Sequence, residues 1–237
     1  MEPSGARTAM TRATSRETLA VGRGILLAIA IMYFCLAGAS VLSTFIPLIF
    51  MMGGSFLTAT FIVGLITLPC TIAAAVLLII AGKRLERKLL FIAGFILLGS
   101  FVLALVLGVI YSTLGTTLEH ALIDSGMDVI LAIHIAYGLV VSLPSVVPSV
   151  LFAVCLVKDA LKNEITIVIP IISLVLVASG IAYYFIQIGL IWLGFSTFSI
   201  PFGIGATALN GVYFLLVRNS LRAVPTTGST LERVQYS

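Results

Sequence analysis

Six long apolar runs, separated by short polar segments, account for most of this chain. They cover approximately residues 24–50, 55–82, 89–114, 129–157, 165–194 and 198–217. A helix needs about 20 residues to cross a hydrocarbon core of roughly 30 Å, and each run reaches that length. In lipid, only helices and closed barrels satisfy every backbone polar group. Barrel strands alternate over about ten residues, whereas these runs are continuously apolar, so the pattern predicts helices. Several runs exceed the thickness of the core, which implies tilt or kinks.

The connections differ in character. Met51 to Gly54 and Phe195 to Thr197 are minimal and force tight antiparallel hairpins. The segment Gly115 to Asp128 is longer. Thr116 and Glu119 there have capping-box spacing. Leu118, Ala121 and Leu122 would share a face, which predicts a short separate helix on the outer surface. Gly82 to Lys88 reads as a compact basic turn, and the C-terminal segment with Pro225 and Gly228 as a disordered polar tail.

Charge then orients the runs. All 13 Lys and Arg residues fall in alternate connections. Arg7, Arg12, Arg16 and Arg23 precede the first run, and Lys83, Arg84, Arg87 and Lys88 lie between the second and third. Lys158 and Lys162 lie between the fourth and fifth, and Arg218, Arg222 and Arg233 follow the sixth. Positive charge is retained on the cytoplasmic side during insertion. The expected protein is an all-α integral membrane protein with six transmembrane helices in three antiparallel hairpins and both termini cytoplasmic. It divides into a basic tail (1–23), a bundle (24–217) and a polar tail (218–237). The expected location is the cell membrane, multi-pass.

Composition agrees with that class. Hydrophobic residues make up 60% and charged residues 9%, with a mean hydropathy of +1.23. A soluble domain is nearer half apolar and a quarter charged. The net charge of +4 is what the topology rule requires, so direct nucleic-acid binding is not indicated. Basic clusters beside spans also attract anionic headgroups of the bilayer. Cys35, Cys70 and Cys155 all fall inside apolar runs, without the spacing of a disulfide framework or a zinc motif. The first apolar run is too long for a cleavable signal, and Glu2 and Glu17 interrupt a transit-peptide reading.

Candidate chemistry is sparse. Pro144 and Pro148 lie four apart among Ser142, Ser145 and Ser149, and Pro69 interrupts the second run. Each proline removes a backbone donor and clashes with the preceding turn. These positions read as hinges, or as helix breaks facing protein or a wet cavity. Gly64 to Pro69 and Gly138 to Pro144 share a Gly-Leu…Leu-Pro pattern, a hint of internal duplication. His134, Gln187 and Asn210 are the polar residues within the runs that would face the bundle interior. His134 could tie to Gln187. No carboxylate lies inside a run, which weighs against proton-coupled carriers and intramembrane aspartyl proteases. A single embedded histidine weighs against interhelical haem. No cofactor, metal site or catalytic set is expected, and the acidic residues Glu119, Asp124 and Asp128 with His120 read as solvated charge.

Small-residue spacings at Ala39/Ser43 and Gly108/Ser112, and the Ile200-Pro-Phe-Gly-Ile-Gly-Ala206 opening of the sixth run, allow close helix approach within the bundle or in a homo-oligomer. Trp192, Tyr111 and Tyr213 read as interfacial anchors.

The expectation is a membrane transport or translocation component, channel-like or a permease subunit. No nucleotide-binding motif occurs. Energy would come from a gradient, a downhill flow, or a partner ATPase or pilus-type subunit docking on Lys83, Arg84, Arg87 and Lys88. Secretion and DNA-transfer machines contain polytopic subunits of this topology, an analogy at the level of fold alone. The alternative is a non-transporting membrane scaffold or assembly factor, followed by an intramembrane enzyme. The orientation is testable. A cysteine replacing Ser125 should react with an impermeant thiol reagent in intact cells while one replacing Leu85 does not, and the reverse would overturn the topology.

Overall fold

The computed structural model describes residues 4–51, 56–125, 143–192 and 202–221. They form six helices: α1 Ser4–Met51, α2 Phe56–Arg84, α3 Lys88–Ser125, α4 Leu143–Lys162, α5 Val168–Trp192 and α6 Phe202–Ser220. Four of them, α1, α2, α3 and α5, are long and apolar enough to cross a membrane, which suggests a membrane protein. The described part of α4 ends among Lys158, Asp159 and Lys162, and the apolar residues before Leu143 lie outside the described set.

Two boundaries differ from expectation. α1 extends back to Ser4 through the basic tail. The separate surface helix expected around Gly115 to Asp128 is not formed. α3 instead continues through Gly115 to Ser125. The segment contains no proline, and the Thr113 and Thr117 hydroxyls donate to the carbonyls of Val109 (3.0 Å) and Thr113 (3.1 Å), bonds that need an unbroken helix. A capping-box pattern inside a continuous apolar helix is overridden by propagation, which adds one bond per residue without a new nucleation cost.

The helices stand in a ring. Each packs on its neighbour in sequence, and α6 closes back on α1. Among the described residues no other pair of helices comes together along the backbone. Short connections favour this arrangement by making consecutive helices antiparallel neighbours. What fills the ring changes along its axis. At the end carrying the basic turns, Leu26, Leu78, Leu90, Leu156, Phe214 and Val217 are fully buried in one core. In the other half the inward positions mix small or hydroxylated residues such as Ser40, Ser100, Ser149, Gly180 and Thr207 with apolar ones such as Leu36, Ile96, Leu176 and Ile181, and the ring is hollow. The outward face is apolar, with Leu65, Val102, Val109, Val175 and Ile186 each more than half exposed. A contiguous surface of that kind is suited to lipid rather than water.

The basic segments meet at one end. Arg23 at the start of the apolar part of α1 donates to the Leu221 carbonyl after α6. A Cβ on Gly22 would lie 2.6 Å from Leu85 in the α2–α3 turn. α2 and α4 end there in the same way. Arg87 N–H bonds the Gly82 carbonyl (2.9 Å) and Ile165 N–H bonds the Ala160 carbonyl (3.0 Å). Glu86 (φ 55°) and Glu164 (φ 53°) supply the left-handed residue between. These are Schellman-type ends, usually completed by glycine.

Glycine matters where α2 and α3 touch. A Cβ on Gly94 would lie 2.7 Å from Ile79 Cγ1 and 2.8 Å from its backbone nitrogen, whereas one on Gly108 would meet nothing. Gly108→Ala should therefore be neutral or raise thermal stability in mild detergent, because alanine is the better helix former by about 1 kcal/mol. Gly94→Ala should lower it, by the roughly 1–3 kcal/mol typical of overpacking.

Candidate functional site

The hollow half of the ring is a cavity of about 560 Å³. All six helices contribute to its wall, through residues such as Ser40, Thr71, Ser100, Ser149, Tyr184 and Thr207. Its floor is built where small inward side chains give way to aromatic ones. Tyr33 lies there, 6.1 Å by ring centroid from Phe152 and 5.4 Å from Phe214. Beside them Ser173 on α5 donates to Asn210 Oδ1 on α6 (2.8 Å), within reach of the Ala206 carbonyl as well (3.3 Å). Among the described residues, no Lys, Arg, His, Asp or Glu lines this cavity.

Below the floor, at the basic end, a carboxylate is buried. Asp159 on α4 is 1% exposed. Tyr213 donates its hydroxyl to Asp159 Oδ2 at 2.6 Å, and the Arg87 guanidinium lies 3.4 Å from the same oxygen. Asn163 Nδ2 donates to Oδ1 at 3.1 Å. Burial pushes the Asp159 carboxyl above its ordinary value, against the lowering influence of Arg87 first and the Tyr213 hydroxyl second. The cluster joins the α2–α3 turn, α4 and α6 with charge-assisted bonds.

The residues singled out from sequence fall in different places. Asn210 lines the cavity floor, and Pro148 lines the wall beside Ser149. Pro144 sits in the first turn of the described α4, and Pro69 is exposed on α2 away from the cavity. His134 lies outside the described residues, so its expected tie to Gln187 does too. Gln187 is half-buried on α5 and is not part of the cavity wall. Of the basic turn, Lys83, Arg84 and Lys88 are exposed, while Arg87 is turned inward, its side chain 8% exposed. The Ala39 and Ala206 small positions are buried in helix packing.

Tyr213 is not the interfacial anchor expected. It is fully buried, because Asp159 offers its hydroxyl an acceptor inside the bundle. Asp159 and Tyr33 were not singled out. The signal for Asp159 was its place on the helical face of Phe152 and Leu156, three residues past the latter. Tyr33 carried no signal beyond its presence in an apolar run.

Compared with known protein families, curated proteins and solved structures, the chain matches none. Function therefore has to be argued from the cavity and the cluster beneath it.

The ion pair makes an asymmetric prediction. Asp159→Ala leaves the Arg87 guanidinium buried without its counter-charge, and arginine cannot shed its proton. The loss should be about 3–5 kcal/mol. Arg87→Ala should cost less, because Asp159 keeps two donors and can neutralise itself by binding a proton. The sign follows from linkage. A carboxyl whose folded pKa is raised binds its proton more tightly when folded, so stability falls as pH rises from 3.8 through the raised value. Arg87→Ala removes a lowering influence and should widen that window upward. Thermal unfolding of both variants across pH 4 to 8 (a range chosen to bracket ordinary carboxylate titration) checks both points; equal losses, or a pH-independent Arg87→Ala, would refute them.

Proposed function

We propose that this chain is a membrane transport or translocation component. In this reading it is a six-span, multi-pass protein of the cell membrane with both termini cytoplasmic. The hollow half is a vestibule open toward the outer side, and the Tyr33, Phe152 and Phe214 layer is the gate that closes it from the cytoplasm.

The observation that carries this reading is the cavity itself. It is lined from all six helices and stops at a packed floor. A ring of helices with no helix at its centre leaves a path along its axis, and a plug at one end makes that path closable. A scaffold has no need of such a space and would gain stability by filling it, since empty volume forfeits dispersion contacts.

Among the described residues the wall carries no Lys, Arg, His, Asp or Glu, so nothing on it speaks for coupling to a proton or cation gradient. A downhill path or a partner-driven subunit is the better fit. For a partner ATPase or pilus-type subunit, the exposed Lys83, Arg84 and Lys88 form the docking surface, and Arg87 serves the fold instead.

Cysteine accessibility tests the vestibule. In a variant with Cys35, Cys70 and Cys155 replaced by alanine, cysteines at Ser100 and Thr207 should react with a small impermeant thiol reagent added outside intact cells. Cysteines at Leu78 and Leu156 should not. Reaction of all four alike, or of neither Ser100→Cys nor Thr207→Cys, would overturn a gated vestibule.

A further inference from the structure

At the cavity floor a nearly buried amide keeps one end open. Asn210 on α6 lines the floor and is 9% exposed. Its Oδ1 accepts from the Ser173 hydroxyl of α5 (2.8 Å), and Ser173 is sealed at 1% exposed. That bond fixes the amide plane, because the oxygen serves α5 and the two N–H groups are left to donate elsewhere. Among the described residues Asn210 Nδ2 has no hydrogen-bond partner, yet it is not among the polar atoms closed off from the surrounding space. The space that Asn210 lines is the cavity. The Tyr33 hydroxyl is by contrast closed off, and takes no part.

An amide N–H in an apolar setting is costly without an acceptor. Leucine, of similar size, would avoid that cost at this position. Intramembrane polar side chains of this kind point to a binding site.

The lining says what the rest of a ligand must be. It is mainly apolar, with Leu36, Ile96, Phe152, Leu176 and Ile181 in it. The hydroxyls of Thr71, Ser100 and Thr207 spend their protons on the carbonyls of Thr67, Leu97 and Gly203 in their own helices. A matching ligand accepts one hydrogen bond at the floor and presents apolar surface elsewhere. A carbonyl oxygen accepts without bringing a proton that needs an acceptor of its own, whereas a hydroxyl brings one. The volume of about 560 Å³ is in the range that holds small organic molecules.

Depth separates such a molecule from a bilayer phospholipid. Asn210 lies eight residues after Phe202 and eight before Arg218, about 12 Å each way at helical rise. In the six-span reading this puts the amide near mid-membrane, whereas phospholipid ester carbonyls lie at the edges of a hydrocarbon core roughly 30 Å thick.

We propose that the cavity floor binds a small lipophilic carbonyl compound, with Asn210 Nδ2 donating to its carbonyl oxygen and Ser173 holding the amide in position. The site rests on the cavity and depth of the six-span reading, and does not require transport through it.

The test uses the full-length protein in nanodiscs. Benzophenone is the probe, a two-ring ketone that on ultraviolet irradiation crosslinks to whatever lies beside its carbonyl. Diphenylmethane has the same shape with a methylene in place of the carbonyl, and is read by competition. Labelling should saturate, which partition into lipid does not, and peptide mapping should place the adducts on cavity-lining residues of α5 and α6. Benzophenone should bind several-fold tighter than diphenylmethane. Asn210→Leu should raise the thermal midpoint of the unliganded protein and bring the two compounds to equal affinity. Should Asn210→Leu fail to fold, the comparison of the two compounds on the unaltered protein decides alone. Nanodiscs of diether phospholipid, which have no ester carbonyl, should give the same ketone preference as diester ones. Four results would overturn the proposal: equal affinities on the unaltered protein, a ketone preference that survives in folded Asn210→Leu, adducts outside the cavity, or a preference smaller in diester than in diether nanodiscs, which would give the site to lipid. Thiol accessibility at Ser100→Cys and Thr207→Cys reads the vestibule separately. A ketone preference with both cysteines unreactive leaves the site standing and overturns the gated vestibule. Reactive cysteines without a ketone preference leave the vestibule standing and overturn the site.

Discussion

The buried Asp159 carboxylate, held by Tyr213, Arg87 and Asn163, is the interaction on which the rest of the structure depends. It lies at the end where the α2–α3 turn, the end of α4 and the lower part of α6 come together. The two left-handed glutamates, Glu86 and Glu164, flank it by ending α2 and α4 one residue before Arg87 and one after Asn163. Backbone geometry that would ordinarily use glycine thus coincides with the side chains that meet the carboxylate. Burying charge is costly unless it is paired and hydrogen-bonded, so a cluster of this kind stands or falls as a unit.

Anchoring one end makes hollowness at the other end affordable. The core around Leu26, Leu78, Leu90, Leu156 and Phe214 supplies dispersion contacts and apolar burial at a single level, with α5 joining it through the partly buried Ile169. Above it the ring needs only neighbour-to-neighbour packing, and the interior is free to carry Ser, Thr, Gly and Asn. The aromatic layer of Tyr33, Phe152 and Phe214 is the boundary between the two regimes. A change in that layer would alter both the cavity floor and the core beneath it.

Much of the architecture was legible along the chain. Helix, rather than strand, followed from the length of each apolar run, and the alternation of basic connections matched the grouping of Arg23, the Lys83 to Lys88 turn and the α4 and α6 ends at one end of the structure. Asn210 was visible as a polar residue in an apolar run, and it does face the interior. Other features were not legible. The Thr116–Glu119 spacing looked like a helix start and is part of a continuing helix, because capping chemistry and helix interior share the same short pattern. Arg87 is indistinguishable in sequence from Arg84, three residues earlier, yet one is inside and the other outside.

Sequence by itself determined the class of element, the number of apolar runs and the grouping of charge in alternate connections, since these depend on run length, composition and simple periodicity. The tertiary structure alone decided that Asp159 is buried and Tyr213 its partner, that the helices close into a ring, and that residues from all six helices share one cavity above Tyr33. Those outcomes depend on the rotation of each helix about its own axis, and helices apolar on nearly every face leave that rotation unwritten in the order of their residues. Packing against neighbours, and the few polar groups that must find partners, set it instead.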